Sequence, residues 1–591
     1  MTKHLTHWSD PTVEARLLSA VSLDEPWKLV ERFSTLVRES GTEDERIAAQ
    51  YVADRLRAFG VPHVVHEPLL FISVPRAAEL RVGGKDGRRV RAKTPAMSVS
   101  TGEDWAEGDL LYIPTGYAKS TYALFDPAGV SPDTDVAGKI VMTEGYPMPG
   151  KVAEFSAMGV AAMIFISPGE AIHEGICTPI WGAPDLDNVD RQPSIPVIAI
   201  SKSDGARLKE EAQAGPVRVA LRTFLEQGWT HCPLVEATIT GSEEPEKFVL
   251  LHGHIDSWHV GIGDNATGNA AMLEIARILW ENRADLKRTV RIAWWPGHST
   301  GRYAGSTWYA DTFAIDIAEN CIAHINCDSP GCRWATSYHD VSTMTEAVAM
   351  LGKAIADVTG QQFQPERPLR AGDISFNNLG VTTFLMLSST MPEELRQEKG
   401  YYSVGGCGAN IEWHTEEDKL HVADKDILLT DIKIYTLATF RAANAPVAPF
   451  DYAATAREIR KTLGEYQKAA GEAVDLWPAI READRLTKAL EAAYERLDLS
   501  APVTAEATRR ANEIQRRIGR LLVSINYARE DRFRQDPALN IPPLPDLAPA
   551  KMLASLEPDS HMAHVVATHL VRGRNRITWA LREAVRLAEA M

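Results

Sequence analysis

Residues 248–269, FVLLHGHIDSWHVGIGDNATGN, decide the fold. The run FVLL is short and continuously apolar, the pattern of a strand buried on both faces, and GNAAMLEIARILWEN (268–282) has helical period. Between them lies a polar loop carrying His254, Asp256 and Asp264. Open α/β sheets place their sites at the carboxyl ends of strands, so these side chains stand where chemistry is done. His254 and Asp256, two apart on an extended strand end, point to one side, and a histidine with a nearby carboxylate suits a borderline divalent cation such as zinc. The plainer alternative makes Asp264 a helix cap and His254 a satisfied core histidine.

The pattern repeats downstream. TVRIAWWPG (289–297) and CIAHINCDS (321–329) read as further buried strands, and EAVAMLGKAIADVTG (346–360) as a helix. Later strand-to-loop junctions add Asp328 in HINCDSPG and His414 in NIEWHTEEDKL. The class is therefore α/β, a mixed and mostly parallel sheet flanked by helices. Upstream, GTEDERIAAQYVADRLRAFG (41–60) is an amphipathic helix closed by Gly60. From Val61 the texture becomes one of short alternating strands, as in GDLLYIPTGY (108–117), which predicts a separate β-rich domain. From Pro446 onward, Ala, Leu, Glu and Arg recur at helical period without strand signals. The expected division, with the insertion taken from a family resemblance set out below, is 1–70 with 236–445 as the catalytic-type domain, 71–235 as a β domain within it and 446–591 as a helical domain.

At 591 residues the chain exceeds what one core organises. A net charge of −16 without a long basic run disfavours nucleic acid and anionic membranes as partners. No apolar stretch approaches the roughly 20 residues of a membrane helix, and MTKHLTHWSDPTVEARLL lacks the build of a secretion signal, so a cytoplasmic protein is expected. The six cysteines show no CxxC spacing and read as buried thiols. Trp294, Trp295, Trp308 and Tyr309 read as core.

Taken together, HGHIDSWHVGIGDNATG, INCDSPG and WHTEEDKL resemble the metal-binding segments of the zinc aminopeptidase/glutamate carboxypeptidase family. The domain order is similar to that of its glutamate carboxypeptidase and transferrin-receptor branch. GKIVMTEGYP and FSAMGVAAMIFISP look like that branch's inserted protease-associated domain, and LRAGDISFNNLGVTTFLML like its Gly-Ser-Asp loop region. The resemblance implies that His254 and Asp328 bind one metal, that His414 binds another and that Asp264 bridges them. It also implies that the Asp256 carboxylate orients His254, and that the helical end supports a homodimer. One or two divalent ions are expected, zinc first, with manganese or iron as alternatives.

The sequence departs from the family at one place. Where the family has a Glu-Glu pair, general base and then ligand, this chain reads WWPGHSTGRYAGSTWYA (294–310). Counting from Trp294 puts His298 and Ser299 at the pair, while counting back from Gly305 puts Ser299 and Thr300 there. Three readings stay open. His298 replaces the ligand, in a site with His414 and Asp264; or His298 is the general base; or one metal is lost and the chain is a non-catalytic binding protein. His252, His259, Asp373, Glu412, Tyr401 and Tyr402 are further ionisable candidates, with Asp373 and His252 the better ones. The expected function is metal-dependent hydrolysis of an amide or related bond in a small polar substrate, with a metal-dependent lyase as the enzymatic alternative.

Overall fold

The protein is described from a computed structural model covering residues 8–385, 387–497 and 504–591. The first seven residues, on which part of the amino-terminal reading rests, and Met386 in the LRAGDISFNNLGVTTFLML segment lie outside the described residues.

The chain opens with three helices, Pro11–Ala20, Asp24–Phe33 and Glu43–Phe59, the last capped by Gly60 at φ 80°. They pack on a six-stranded sheet with the order His63–His66, Leu234–Ile239, Arg288–Trp295, Glu244–His254, Cys321–Asn326 and Thr382–Phe384. The first two pairings are antiparallel and the other three parallel, so the central strands are covered on both faces and carry continuous apolar runs. Helices Thr267–Glu281 and Lys425–Asn444 join one core with the amino-terminal helices, while Tyr309, Ala310 and Ile317 close the other face.

A second sheet has seven strands, from Arg88–Val90 at one edge to Val197–Ile200 at the other. The sequence reading of short alternating strands fails in its second half. Strands Ile140–Glu144, Ala162–Ile166 and Val197–Ile200 run parallel, are wholly buried and alternate with helices Pro149–Ala157 and Lys202–Ala214. GVAAMIFISP carries no period-2 alternation because both of its faces are covered. Helices Tyr452–Ala470, Trp477–Arg496, Ala505–Tyr527 and His561–Glu589 form the carboxyl-terminal bundle. Among the described residues no helix is long and apolar enough to cross a membrane. All six cysteines are buried and unpaired.

Candidate metal centre

Parallel strands in register bring their carboxyl ends together, which gathers the site. His254 ends its strand opposite Trp295, and His252 lies opposite Asn326, so the segments that leave Trp295 and Asn326 carry His298 and Asp328 to the same rim. Asp264 comes from the turn Ile262–Ala266, where its φ of −130° and ψ of 84° depart from helical values and the Asp264–Asn265 peptide is cis. His414 arrives from a loop with φ 55°.

His254 Nδ1 lies 2.8 Å from the Asp256 main-chain carbonyl, which only accepts, so Nδ1 holds the hydrogen and Nε2 presents a lone pair. That lone pair faces Asp264 Oδ1 at 2.9 Å and Asp328 Oδ1 at 3.7 Å. His414 repeats the device. Its Nδ1 is 3.1 Å from the Glu174 carbonyl, and its Nε2 is 3.2 Å from Asp264 Oδ2. Asp264 thus sets one oxygen against each histidine. With His254 neutral, its Nε2 and Asp264 Oδ1 are buried with no hydrogen-bond donor between them, an arrangement completed by a proton or a cation. Burial lowers His254, but Asp264 and Asp328 outweigh it and raise the imidazole well above its ordinary range. Burial raises Asp264, yet the two histidines hold it well below the carboxylate range. The donor set of imidazole and carboxylate fits zinc, and each histidine has its other nitrogen fixed by a carbonyl, as metal-binding histidines require.

Asp256 plays a different part from the one expected. Its carboxylate lies 3.8 Å from His254 Nδ1 and instead accepts the main-chain N–H groups of His298 at 3.1 Å and Ser299 at 2.8 Å. The orienting contact to His254 is its carbonyl, and its side chain fixes the loop where the Glu-Glu pair is absent. Thr300, whose carbonyl accepts from Ser73 N, is directed toward the inserted domain. Of this loop, the His298 side chain joins the site. One of its ring nitrogens groups with His254 and Asp328, all three ligand atoms lying within 4.8 Å of one another, rather than with His414 and Asp264 as the ligand reading expects. Its ring stacks on His254 with centroids 3.9 Å apart and planes at 15°. His298 Nδ1 is 2.9 Å from Asp373 Oδ2, and Ser306 Oγ donates to Asp373 Oδ1 at 2.9 Å. Burial raises Asp373, but His298 outweighs it and keeps the carboxyl below its ordinary range.

The other candidates are engaged elsewhere. His252 pairs with His324 at 3.0 Å and is pushed by burial down to about 4. His259 contacts Glu174, Glu412 takes the Arg333 guanidinium, Tyr402 bonds His173, and the Tyr401 ring faces Trp334. Trp294, Trp295 and Tyr309 lie fully in the core, and Trp308 packs on Phe313.

Three supports escaped the sequence reading. Arg38, fully buried, donates to the carbonyls of Ile255 (2.9 Å), Val260 (2.7 Å) and Gly261 (2.9 Å) and so clamps the Asp256 loop. Arg38→Met leaves three carbonyls without a donor and is expected to cost about 3–5 kcal/mol, read as a lower denaturant midpoint; an unchanged midpoint contradicts the clamp. Asp418 accepts from the Gly263 and Asp264 amides at 2.8 and 3.0 Å, and burial pushes it up to about 7. Its only sequence signal is its place in WHTEEDKL. From the inserted domain, His173 Nδ1 donates to the Trp413 carbonyl at 2.7 Å, and Glu174 N donates to the His414 carbonyl at 2.8 Å.

Burial pushes His173 down to about 3, far below the value near 6.5 of an exposed histidine. The unfolded chain therefore binds this proton and the folded chain does not, so stability falls as pH drops from about 6.5 toward 3. In His173→Gln the slope of unfolding free energy on pH between about 6 and 4 is expected to shrink by one proton, about 1.4 kcal/mol per unit. A slope equal to the wild type's contradicts this assignment.

This sheet, with imidazoles and carboxylates converging at its carboxyl rim, defines a metal-dependent hydrolase of the zinc-exopeptidase type. Comparison with known proteins agrees: the Peptidase family M28 profile matches residues 235–434, and the PA domain profile matches residues 106–208. Residues 235–434 are thus similar to peptidase family M28, and the chain is a metallohydrolase. It is 23% identical over 513 residues to a probable glutamate carboxypeptidase of Zea mays, covering 74% of this chain and 69% of that one. A carboxypeptidase Q of Xenopus laevis is 31% identical over 124 residues, 20% of this chain and 26% of its own length. Among solved structures, a zinc aminopeptidase of Bacillus subtilis superposes with a TM-score of 0.54 at 18% identity, covering 72% of this chain and 96% of that one. A peptidase M28 precursor of Shewanella amazonensis gives 0.55 at 18% identity, covering 73% of this chain and 96% of its own.

Proposed function

We propose that the protein hydrolyses an amide or related bond of a small polar substrate, with a divalent cation, zinc first, held by His254, Asp264 and Asp328, and with His298 as the proton carrier. The observation that carries this reading is the stacking of His298 on His254. An imidazole binds metal through a lone pair in its own ring plane. Two rings lying parallel, face over face, are poorly placed to aim both lone pairs at one ion, so His254 would hold the cation and His298 would serve as its neighbouring proton carrier. One of the His298 ring nitrogens stays close to His254 and Asp328, within reach of the reacting groups a proton carrier must serve.

When bound, the cation supplies Lewis acidity, polarising a carbonyl and acidifying water. The chain does the rest. His298 Nδ1–H donates to Asp373, which leaves Nε2 free to accept the proton of the attacking water. Asp373, itself held by Ser306, stabilises the imidazolium that forms. His298 then returns the proton to the leaving amine. An Asp–His pair thus stands in for the missing glutamate. We also take the helical bundle, where Trp477 and Trp579 stay exposed, as the surface for a homodimer, and the cytoplasm as the location.

Hydrolysis in ¹⁸O-water tests the reaction type. One solvent oxygen in the acyl product supports this reading, and product formed without solvent oxygen overturns it in favour of elimination.

A further inference from the structure

A partly open cavity lies at the opposite end of the sheet from the metal centre. The strand Glu244–His254, 11 residues long, has the metal ligand at its last residue and this cavity at its first, roughly 30 Å away at about 3.3 Å per residue. The cavity measures about 220 Å³ and sits where the sheet meets helix Ala505–Tyr527, lined by Arg288, Ile322, Ala448, Phe450, Asn512 and Gln515 among others. Its walls mix the apolar side chains of Ile322, Ala448 and Phe450 with charged ones at Glu246, Lys247 and Arg509, and several of its polar groups are already engaged. Arg288 holds Glu244 and the carbonyls of Ala443 and Ala445, Asn512 bonds Pro446 and Ala448, and Arg516 holds Glu513 and the Ala318 carbonyl.

Gln515 stands apart because it is fully buried, and neither its Oε1 nor its Nε2 has a hydrogen-bond partner. A buried amide with both halves unmet is destabilising, and native proteins retain such groups rarely. The cavity beside it exceeds the roughly 150 Å³ that accommodates benzene. Beside the apolar side chains of Ile322, Ala448 and Phe450, one free donor and one free acceptor on a buried amide suit a small-molecule site.

We propose that this cavity binds a small planar molecule with an apolar ring and a carboxamide group, whose carbonyl accepts from Gln515 Nε2 and whose N–H donates to Gln515 Oε1. The site is remote from the metal centre, and its occupancy does not depend on the hydrolytic reading.

Benzamide, with toluene as the same ring lacking the amide, tests the proposal by saturation-transfer NMR titration of the full chain. Benzamide is expected to bind saturably, and about tenfold more weakly to Gln515→Leu, the loss that a pair of hydrogen bonds implies. Toluene is expected to bind that variant at least as well as it binds the wild type. Gln515→Leu is also expected to melt no lower than the wild type, because an apolar side chain replaces an unmet amide; this separates lost recognition from lost folding. Ala448→Phe fills the cavity and is expected to exclude both probes. Absence of saturable benzamide binding to the wild type overturns the proposal. So does less than about a threefold change in Gln515→Leu, or unchanged affinity in Ala448→Phe.

Discussion

Asp264→Ala is expected to lose more than about a thousandfold in kcat/KM and to lose its bound metal. Cation catalysis supplies several kcal/mol of transition-state stabilisation, and each 1.36 kcal/mol is tenfold in rate. The geometry makes Asp264 the most exacting position. It faces His254 with one oxygen and His414 with the other, and the amides flanking its backbone are held by Asp418. Asn in its place keeps the shape but withdraws the charge that faces both imidazoles. Asp264→Asn should therefore also fail, with metal content the measurement that separates this loss from a folding defect. Full turnover in either variant contradicts the assignment of the centre.

His298→Ala is expected to lower kcat by about 10²–10⁴-fold with KM little changed, the range for removing a general base. Its metal content should stay at the wild-type level, because the stacking of its ring on His254 suits a proton carrier better than a ligand. Asp373→Asn should reproduce most of this loss. An asparagine facing His298 Nδ1 no longer fixes the tautomer that leaves Nε2 free, nor stabilises the charged ring. If His298→Ala instead loses metal in proportion to activity, His298 is a ligand and the proton carrier lies elsewhere.

The centre was legible in the sequence to the extent that strand ends carry it. His254, Asp264, Asp328 and His414 each follow a segment whose apolar run or terminal motif can be read locally, and parallel register does the rest. The loop 296–300 was not legible, because an inserted residue makes two registers equal on paper. In the fold the Asp256 carboxylate accepts from the His298 and Ser299 amides, a contact between distant segments that leaves no local pattern. The pairing of His298 with Asp373 spans 75 residues, and the grip of Arg38 on the Ile255–Gly261 segment spans more than 200; neither leaves a local pattern. The same holds for the inserted domain, whose loop residues His173 and Glu174 seat the His414 loop. In that domain the error came from period. Strands buried on both faces lose the alternation by which an exposed sheet announces itself.

Elemental mass spectrometry on the wild type, Asp264→Ala and His298→Ala, purified alike, tests the central claim most directly. About one divalent ion per chain, retained in His298→Ala and absent from Asp264→Ala, is the predicted result, and its identity directs the substrate search. A wild type that holds no metal and takes none up on addition of zinc, manganese or iron contradicts the account.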